Sequence, residues 1–270
     1  MSKAVLILST CRTGTVFFAR ALGDLYPEVA AYHERGSSRL LQILTNACLG
    51  GLLPRALLVN AWRAFMEPEL RRCEHEFHVD ANCFLYGAAT LAPDVLPNVR
   101  VIHLIRDART YLSSHWNHVF ARPSSFAANY FVPLWQPSPF LTGEISWAKL
   151  PGFSRFQRYA WLWDFKNRTI EAVQQAGRAY LQLRFEDLFV SATPEEAFAQ
   201  MTDFIGLPRR MDIRERFARA LNQASRARFP EWIEWAPAQC RQMHELCGAR
   251  MRRYGYGTEA LWQEKLGPRL

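Results

Sequence analysis

The chain has 270 residues, 49% of them hydrophobic, enough for one large domain with a full core. A net charge of +8 favours an anionic ligand or partner, and no run reaches the roughly 18 apolar residues of a membrane span. The start Met1-Ser2-Lys3 leads straight into an apolar run, leaving no room for a cleaved signal segment. Cysteines at 11, 48, 73, 83, 240 and 247 lack zinc-like pairing and are expected as reduced thiols of a cytoplasmic protein.

In chain order, the first predicted element is the strand at 4–9, then the loop Ser9-Thr10-Cys11-Arg12-Thr13-Gly14 and an amphipathic helix from Thr15. Residues 38–72 are expected to be largely helical, with a strand at 76–80 after them. The strand at 99–105 runs into the basic turn Arg106-Asp107-Ala108-Arg109 and a helix carrying Ser113 and Ser114. Residues 118–152 are rich in Phe, Pro, Ser and Trp without a clear period, the pattern of an irregular binding loop or lid. One aromatic-rich helix is predicted over 153–175, with Tyr159, Trp161, Trp163 and Asn167; a strand follows at 179–184. Further helices are expected at 194–206, 210–224 and 236–254. Apolar strands alternating with helices predict an α/β fold, a central parallel sheet covered on both faces. With no repeat and no boundary, residues 1–270 read as a single domain with helical insertions.

The two strand-turn-helix junctions carry the functional signal. A helix N-terminus offers unpaired N–H groups and the positive end of a dipole, so each junction suits phosphate or sulfate. Two of them on one sheet can grip two ends of one polyanionic ligand. The ATP-binding pattern GxxxxGK[ST] is absent, because no Lys precedes Thr15. Arg12 supplies a charged fork, Thr13 and Thr15 supply hydroxyls, and Gly14 frees the backbone to turn. A phosphatase loop would need Arg six residues after Cys11, and position 17 is Phe.

Arg12-Thr13-Gly14-Thr15 resembles the phosphosulfate loop of the sulfotransferase family that uses 3′-phosphoadenosine 5′-phosphosulfate. Arg106 and Ser114, eight residues apart, are similar to that family's 3′-phosphate motif. The runs Arg184-Phe185-Glu186-Asp187-Leu188, Phe204-Ile205-Gly206-Leu207-Pro208 and Tyr254-Gly255-Tyr256 add to the likeness, which extends from residue 4 to about 256. The resemblance implies a P-loop-like sulfotransferase fold and transfer of a sulfuryl group to a hydroxyl or amine, with adenosine 3′,5′-bisphosphate as product and no metal. It implies nucleotide contacts from Arg12, Thr13, Gly14, Thr15, Val16, Phe17, Arg106, Ser114 and Phe185. Val16 stands where many members carry a second hydroxyl, and core packing explains Phe17 and Phe185 equally well. No Arg-Lys-Gly loop is found near the C-terminal end, where Arg226 or Arg228 could substitute.

In-line attack needs a group to take the acceptor's proton. Glu34, where carbohydrate-modifying members place a catalytic Glu, is the first candidate, followed by His33 and Asp80. Arg12 would stabilise charge growing on the leaving group. Cys73, His75, His78, Asp80 and Cys83 converge only in part, since His75 points away from His78 and Asp80 on a strand, so no metal is expected. The seven arginines between Arg209 and Arg228 alternate with Asp212, Glu215 and apolar residues at helical spacing, which fits a solvated helix face and no nucleic acid. The expected partner is a small-molecule or carbohydrate acceptor; the sequence is silent on oligomeric state.

Overall fold

The computed structural model describes residues 2–95, 98–210, 213 and 229–267. In order, β1 (Lys3–Ser9), α1 (Thr15–Leu25), β2 (Val29–His33), α2 (Gly36–Leu49), α3 (Arg55–Arg72) and β3 (Phe77–Asn82) form the first half. Then come α4 (Ala92–Val95), β4 (Arg100–Ile105), α5 (Ala108–Ala121), α6 (Pro123–Phe131), α7 (Arg155–Gln175), β5 (Tyr180–Arg184) and α8 (Phe185–Phe189). The chain continues through α9 (Pro194–Ile205), α10 (Pro237–Arg253) and α11 (Ala260–Leu266).

The strands form one parallel sheet in the order β2-β3-β1-β4-β5, the expected α/β architecture. β1 lies at its centre and is buried from Ala4 to Ser9, which is why it reads as an unbroken apolar run. Alternate residues feed two cores. Val5, Ile7, Val79 and Leu104 pack with α1, α8 and α9, while Leu6, Leu8 and Val101 pack with Trp62, Trp161 and Phe165 of α3 and α7. β1 and β4 are neighbours in register, Ser9 opposite Leu104, so the loops that follow them leave the same edge side by side. Ligands of open parallel sheets sit at that carboxyl edge.

Three expectations change. β2 was not anticipated: Val-Ala-Ala-Tyr-His is short and poor in β-branched residues, and its pairing with β3 supplies what its own sequence lacks. Irregular chain begins at 132 rather than 118, because α5 runs through Ala121 and Pro123 opens α6, where a missing N–H costs nothing. Cys11 and Cys83 are joined as a disulfide, against the expectation of six reduced thiols. Leu8 lies opposite Asn82 in the β1–β3 ladder, so the residues just past the two strand ends meet, with Cα atoms 4.9 Å apart.

The predicted helix at 210–224, and Arg226 and Arg228, lie outside the described residues apart from Arg210 and Ile213. Among the described residues no helix is long and apolar enough to cross a membrane, and no three His, Cys, Asp or Glu side chains converge as metal ligands.

Candidate active site

The loop after β1 turns through residues of positive φ, at Cys11 (77°), Arg12 (61°) and Gly14 (82°). Left-handed backbone outside glycine is uncommon and needs support. Here Cys11 is held by its disulfide, and Arg106 Nη1 donates to the Arg12 carbonyl at 2.8 Å. Gly14 caps α1, and a Cβ there would lie 2.6 Å from Phe189 Cζ, so both conformation and space demand glycine. Thr13 is fully buried and its hydroxyl has no hydrogen-bond partner among the described residues. Successive N–H groups in such a turn form a concave anion seat.

The junction after β4 closes on the same place. Trp163 Nε1 donates to the Arg106 carbonyl at 2.8 Å, fixing the turn, and Asp107 caps α5 by accepting from Arg109 N. Arg106 Nε donates to Thr110 Oγ1 at 3.1 Å, and its guanidinium lies 4.4 Å over the Phe185 ring. Arg12 Nε donates to Ser114 Oγ at 3.3 Å. Residues 94 and 102 positions apart in sequence are thus in contact. Burial and then the charges of Arg106 and Arg122 push the Arg12 guanidinium below its ordinary value, while Glu34 acts in the opposite sense. Among the described residues neither Arg12 nor Arg106 is in a salt bridge. Adjacent guanidiniums outside any salt bridge among the described residues, beside an orphaned threonine hydroxyl, suit a multiply charged anion.

The remaining nucleotide candidates lie around this point. Thr15 is buried at the start of α1, and Val16 is 46% exposed. Phe17 meets Phe18 and Phe189 edge-on, both at 5.3 Å, while Phe185 stacks on Phe189 at 4.7 Å. Both rings are packed against the core below α1.

β2 delivers the first two proton-acceptor candidates. His33 Nε2 lies 3.0 Å from Thr15 Oγ1 and 3.6 Å from Glu34 Oε1; burial, then Arg20, lowers its pKa. Glu34 takes positive φ (47°), and its Oε1 lies 3.1 Å from Cys83 Sγ. A disulfide sulfur has no proton to give, so that contact leaves Glu34 without a donor from Cys83. Burial raises the Glu34 pKa, against the opposing charges of Lys166, Arg39 and Arg12. Asp80 lies mid-strand in β3, 1% exposed, with both oxygens accepting from Asn82 Nδ2; burial pushes it up to about 7. Arg12, Thr15, His33 and Glu34 therefore face one another, whereas Asp80 is enclosed within the sheet face.

Two groups escaped the sequence reading. Lys166 on α7 is fully buried, its Nζ lacks a hydrogen-bond partner among the described residues, and it lies 4.8 Å over the Tyr86 ring. His115, next to Ser114, is 4% exposed, and among the described residues neither ring nitrogen has a hydrogen-bond partner. A signal for Lys166 did exist: lysine occurs only at 3, 149, 166 and 265, and 166 alone lies inside an aromatic helix.

Neither a family model nor a curated protein sequence matches the chain. Among solved structures it is similar to the sulfotransferase domain from the curacin biosynthetic pathway, at 13% identity and TM-score 0.48, covering 85% of this chain and 81% of that one. It is similar also to a sulfotransferase from Alicyclobacillus acidocaldarius, at 12% identity and TM-score 0.52, over 94% of each chain. The parallel sheet with its flanking helices is therefore the sulfotransferase fold.

Proposed function

We propose that the protein is a sulfotransferase that uses 3′-phosphoadenosine 5′-phosphosulfate and an acceptor hydroxyl or amine. The observation that carries this is the meeting of the two anion-binding junctions, Arg12 on Ser114 and Arg106 on the Arg12 carbonyl. When bound, the donor supplies an activated sulfuryl group attached to its 5′-phosphate.

Arg12, the amides of the loop and the free Thr13 hydroxyl would hold the 5′ end and stabilise the charge that grows on the leaving oxygen. Arg106 and Ser114 would take the 3′-phosphate, and Phe17 and Phe185 would border the adenine. The requirement for a basic, two-junction site is met without a lysine in the loop. Glu34 takes the acceptor's proton in this scheme: it is half-buried beside the loop, and its raised pKa suits a base working near neutrality. His33, fixed against Thr15, would orient it. Asp80, enclosed in β3 and accepting from Asn82, is less suited to that role than Glu34.

Calorimetric titration with adenosine 3′,5′-bisphosphate, set against ATP with magnesium, tests the donor site. Tight binding of the bisphosphate alone supports the proposal, and preference for ATP with magnesium replaces it with a kinase. Glu34→Gln is expected to keep bisphosphate affinity and lose turnover by about 100-fold or more; retained turnover would move the base elsewhere.

A further inference from the structure

The bridge between Cys11 and Cys83 joins two parts of the candidate site. Cys11 lies in the loop after β1, directly before Arg12. Cys83 follows the end of β3, and its Sγ lies 3.1 Å from Glu34 Oε1. One covalent bond therefore connects the anion seat to the surroundings of the base. Among the described residues four non-glycine residues take positive φ, and three of them, Cys11 (77°), Arg12 (61°) and Glu34 (47°), stand at this bridge. Such backbone persists only where its surroundings impose it.

The two ends of the bridge are held unequally. Cys83 is 2% exposed and follows Asn82, a fully buried residue whose Nδ2 donates to Ser38 Oγ and to both oxygens of Asp80. Asn82 Oδ1 accepts from Phe84 N at 2.9 Å, so the chain is fixed on both sides of Cys83. Cys11 is half-buried, and its N–H donates to Ser9 Oγ at 3.2 Å. The loop's other tie is Arg106, on the carbonyl of the next residue, Arg12. The rigid end is thus β3, and the end that depends on the bridge is the loop. The remaining cysteines are free thiols: Cys48 and Cys73 half-buried, Cys240 and Cys247 buried.

We propose that the Cys11–Cys83 bridge is a thiol–disulfide switch, holding the site in its working arrangement when closed and releasing it when a dithiol reduces it. This rests on the sulfuryl-transfer reading above. A thiolate of the reductant attacks Sγ of Cys11, the more exposed residue of the pair. The bond between the two Sγ atoms breaks, and Cys83 leaves as a thiolate that takes up a proton. The reductant's second thiol then attacks its own sulfur in the mixed disulfide, and Cys11 leaves and is protonated in turn. Two electrons and two protons pass to the protein, and the dithiol becomes a cyclic disulfide. A disulfide oxidant reverses these steps.

Opening the bridge has two consequences, and both act against transfer. Cys11 is free to return to the ordinary negative-φ backbone, so the loop amides converge on one anion for a smaller share of the time. Cys83 regains a proton and, from 3.1 Å, donates it to Glu34 Oε1. A carboxylate that accepts a hydrogen bond is a weaker base than one that does not. With the bridge closed that donor is absent, and Glu34 keeps the basicity that its burial gives it.

The test is titration with adenosine 3′,5′-bisphosphate in mixtures of oxidised and reduced dithiothreitol, with far-UV circular dichroism following the fold. Reduction should leave the protein folded and weaken the bisphosphate by about 10-fold, as for a loop that is competent about a tenth of the time. Cys11→Ala and Cys83→Ala should both bind like the reduced wild type and ignore dithiothreitol. The infrared S–H stretch reads the base. In reduced wild type and in Cys11→Ala, the Cys83 band should lie below the free-thiol frequency, and Glu34→Gln should move it. A bridge that only adds stability predicts unchanged affinity in the folded, reduced protein, and that result overturns the switch. Unfolding on reduction overturns it equally, since the bridge is then a staple of the fold. A response to dithiothreitol that persists in Cys83→Ala overturns it by placing the effect at another cysteine. A Cys83 band at the free-thiol frequency takes Glu34 out of the switch. Failure of the oxidised protein to bind the bisphosphate overturns the sulfuryl-transfer reading, and this proposal with it.

Discussion

Arg106 and Arg109 leave the same turn, three residues apart, and are treated in opposite ways. Arg109 is 1% exposed, paired with Asp107 and Glu259, both at 2.5 Å, and lies 4.3 Å from the Trp232 ring centre and 5.0 Å from that of Trp262. Arg106 is half-buried and touches a hydroxyl, a backbone carbonyl and an aromatic face, without a salt bridge among the described residues. A guanidinium whose forks are filled by carboxylates is part of the architecture. One whose donors meet only a hydroxyl and a backbone carbonyl keeps its charge for an anion. Residue type and sequence distance do not separate these two; direct ion pairing does.

The largest effect expected is at the architectural arginine. Arg109→Ala would strand the buried Asp107 carboxylate and should destabilise the fold by about 3–5 kcal/mol, read as a lower urea midpoint. A variant that folds normally and loses nucleotide binding would reverse the contrast. Next comes the unpaired arginine of the first loop. Arg12→Ala should slow transfer by roughly 10²–10³-fold while the melting temperature stays within about 2 °C, because among the described residues no salt bridge is made by Arg12. An active Arg12→Ala enzyme sinks the loop assignment.

The disulfide divides the molecule another way, tying the anion loop to the end of β3 beside Glu34. Its 72-residue separation makes the constraint long, and removing a native bridge costs typically about 2–4 kcal/mol. Dithiothreitol should lower the urea midpoint accordingly, and Cys83→Ala should abolish the response. A wild-type midpoint indifferent to dithiothreitol would mean that the tie contributes nothing to the fold.

How much of this was legible depends on whether the information is local. The junctions are local: an apolar strand, a turn rich in Arg and hydroxyls, then a helix, and both were found together with Ser114. Glu34 and His33 were found as candidates, yet β2, which presents them, was not, since Val-Ala-Ala-Tyr-His becomes a strand only by pairing with β3. The Cys11–Cys83 bridge needs the β1–β3 neighbourhood, and Lys166 needs α7 laid across the sheet. Asp107 and Glu259 could not be assigned to Arg109 from sequence, 150 residues separating Glu259 from it.

The smallest effect tests the comparison most finely, because Ser113 and Ser114 repeat the Arg106–Arg109 contrast one residue apart. Ser113 Oγ is buried and donates to the Pro230 carbonyl at 2.9 Å, an internal tie. Ser114 Oγ accepts from Arg12 and keeps its own proton free to donate among the described residues. A hydrogen bond to a phosphate is worth on the order of 1–1.5 kcal/mol net. Ser114→Ala should therefore weaken adenosine 3′,5′-bisphosphate by about 5–12-fold and leave adenosine 5′-monophosphate unchanged. Ser113→Ala should lower stability by about 1 kcal/mol and shift neither affinity. Equal losses for both nucleotides in Ser114→Ala would take the 3′-phosphate away from the second junction. The unpaired Arg106 would then have to be explained by a different anion, bound at the same edge of the sheet.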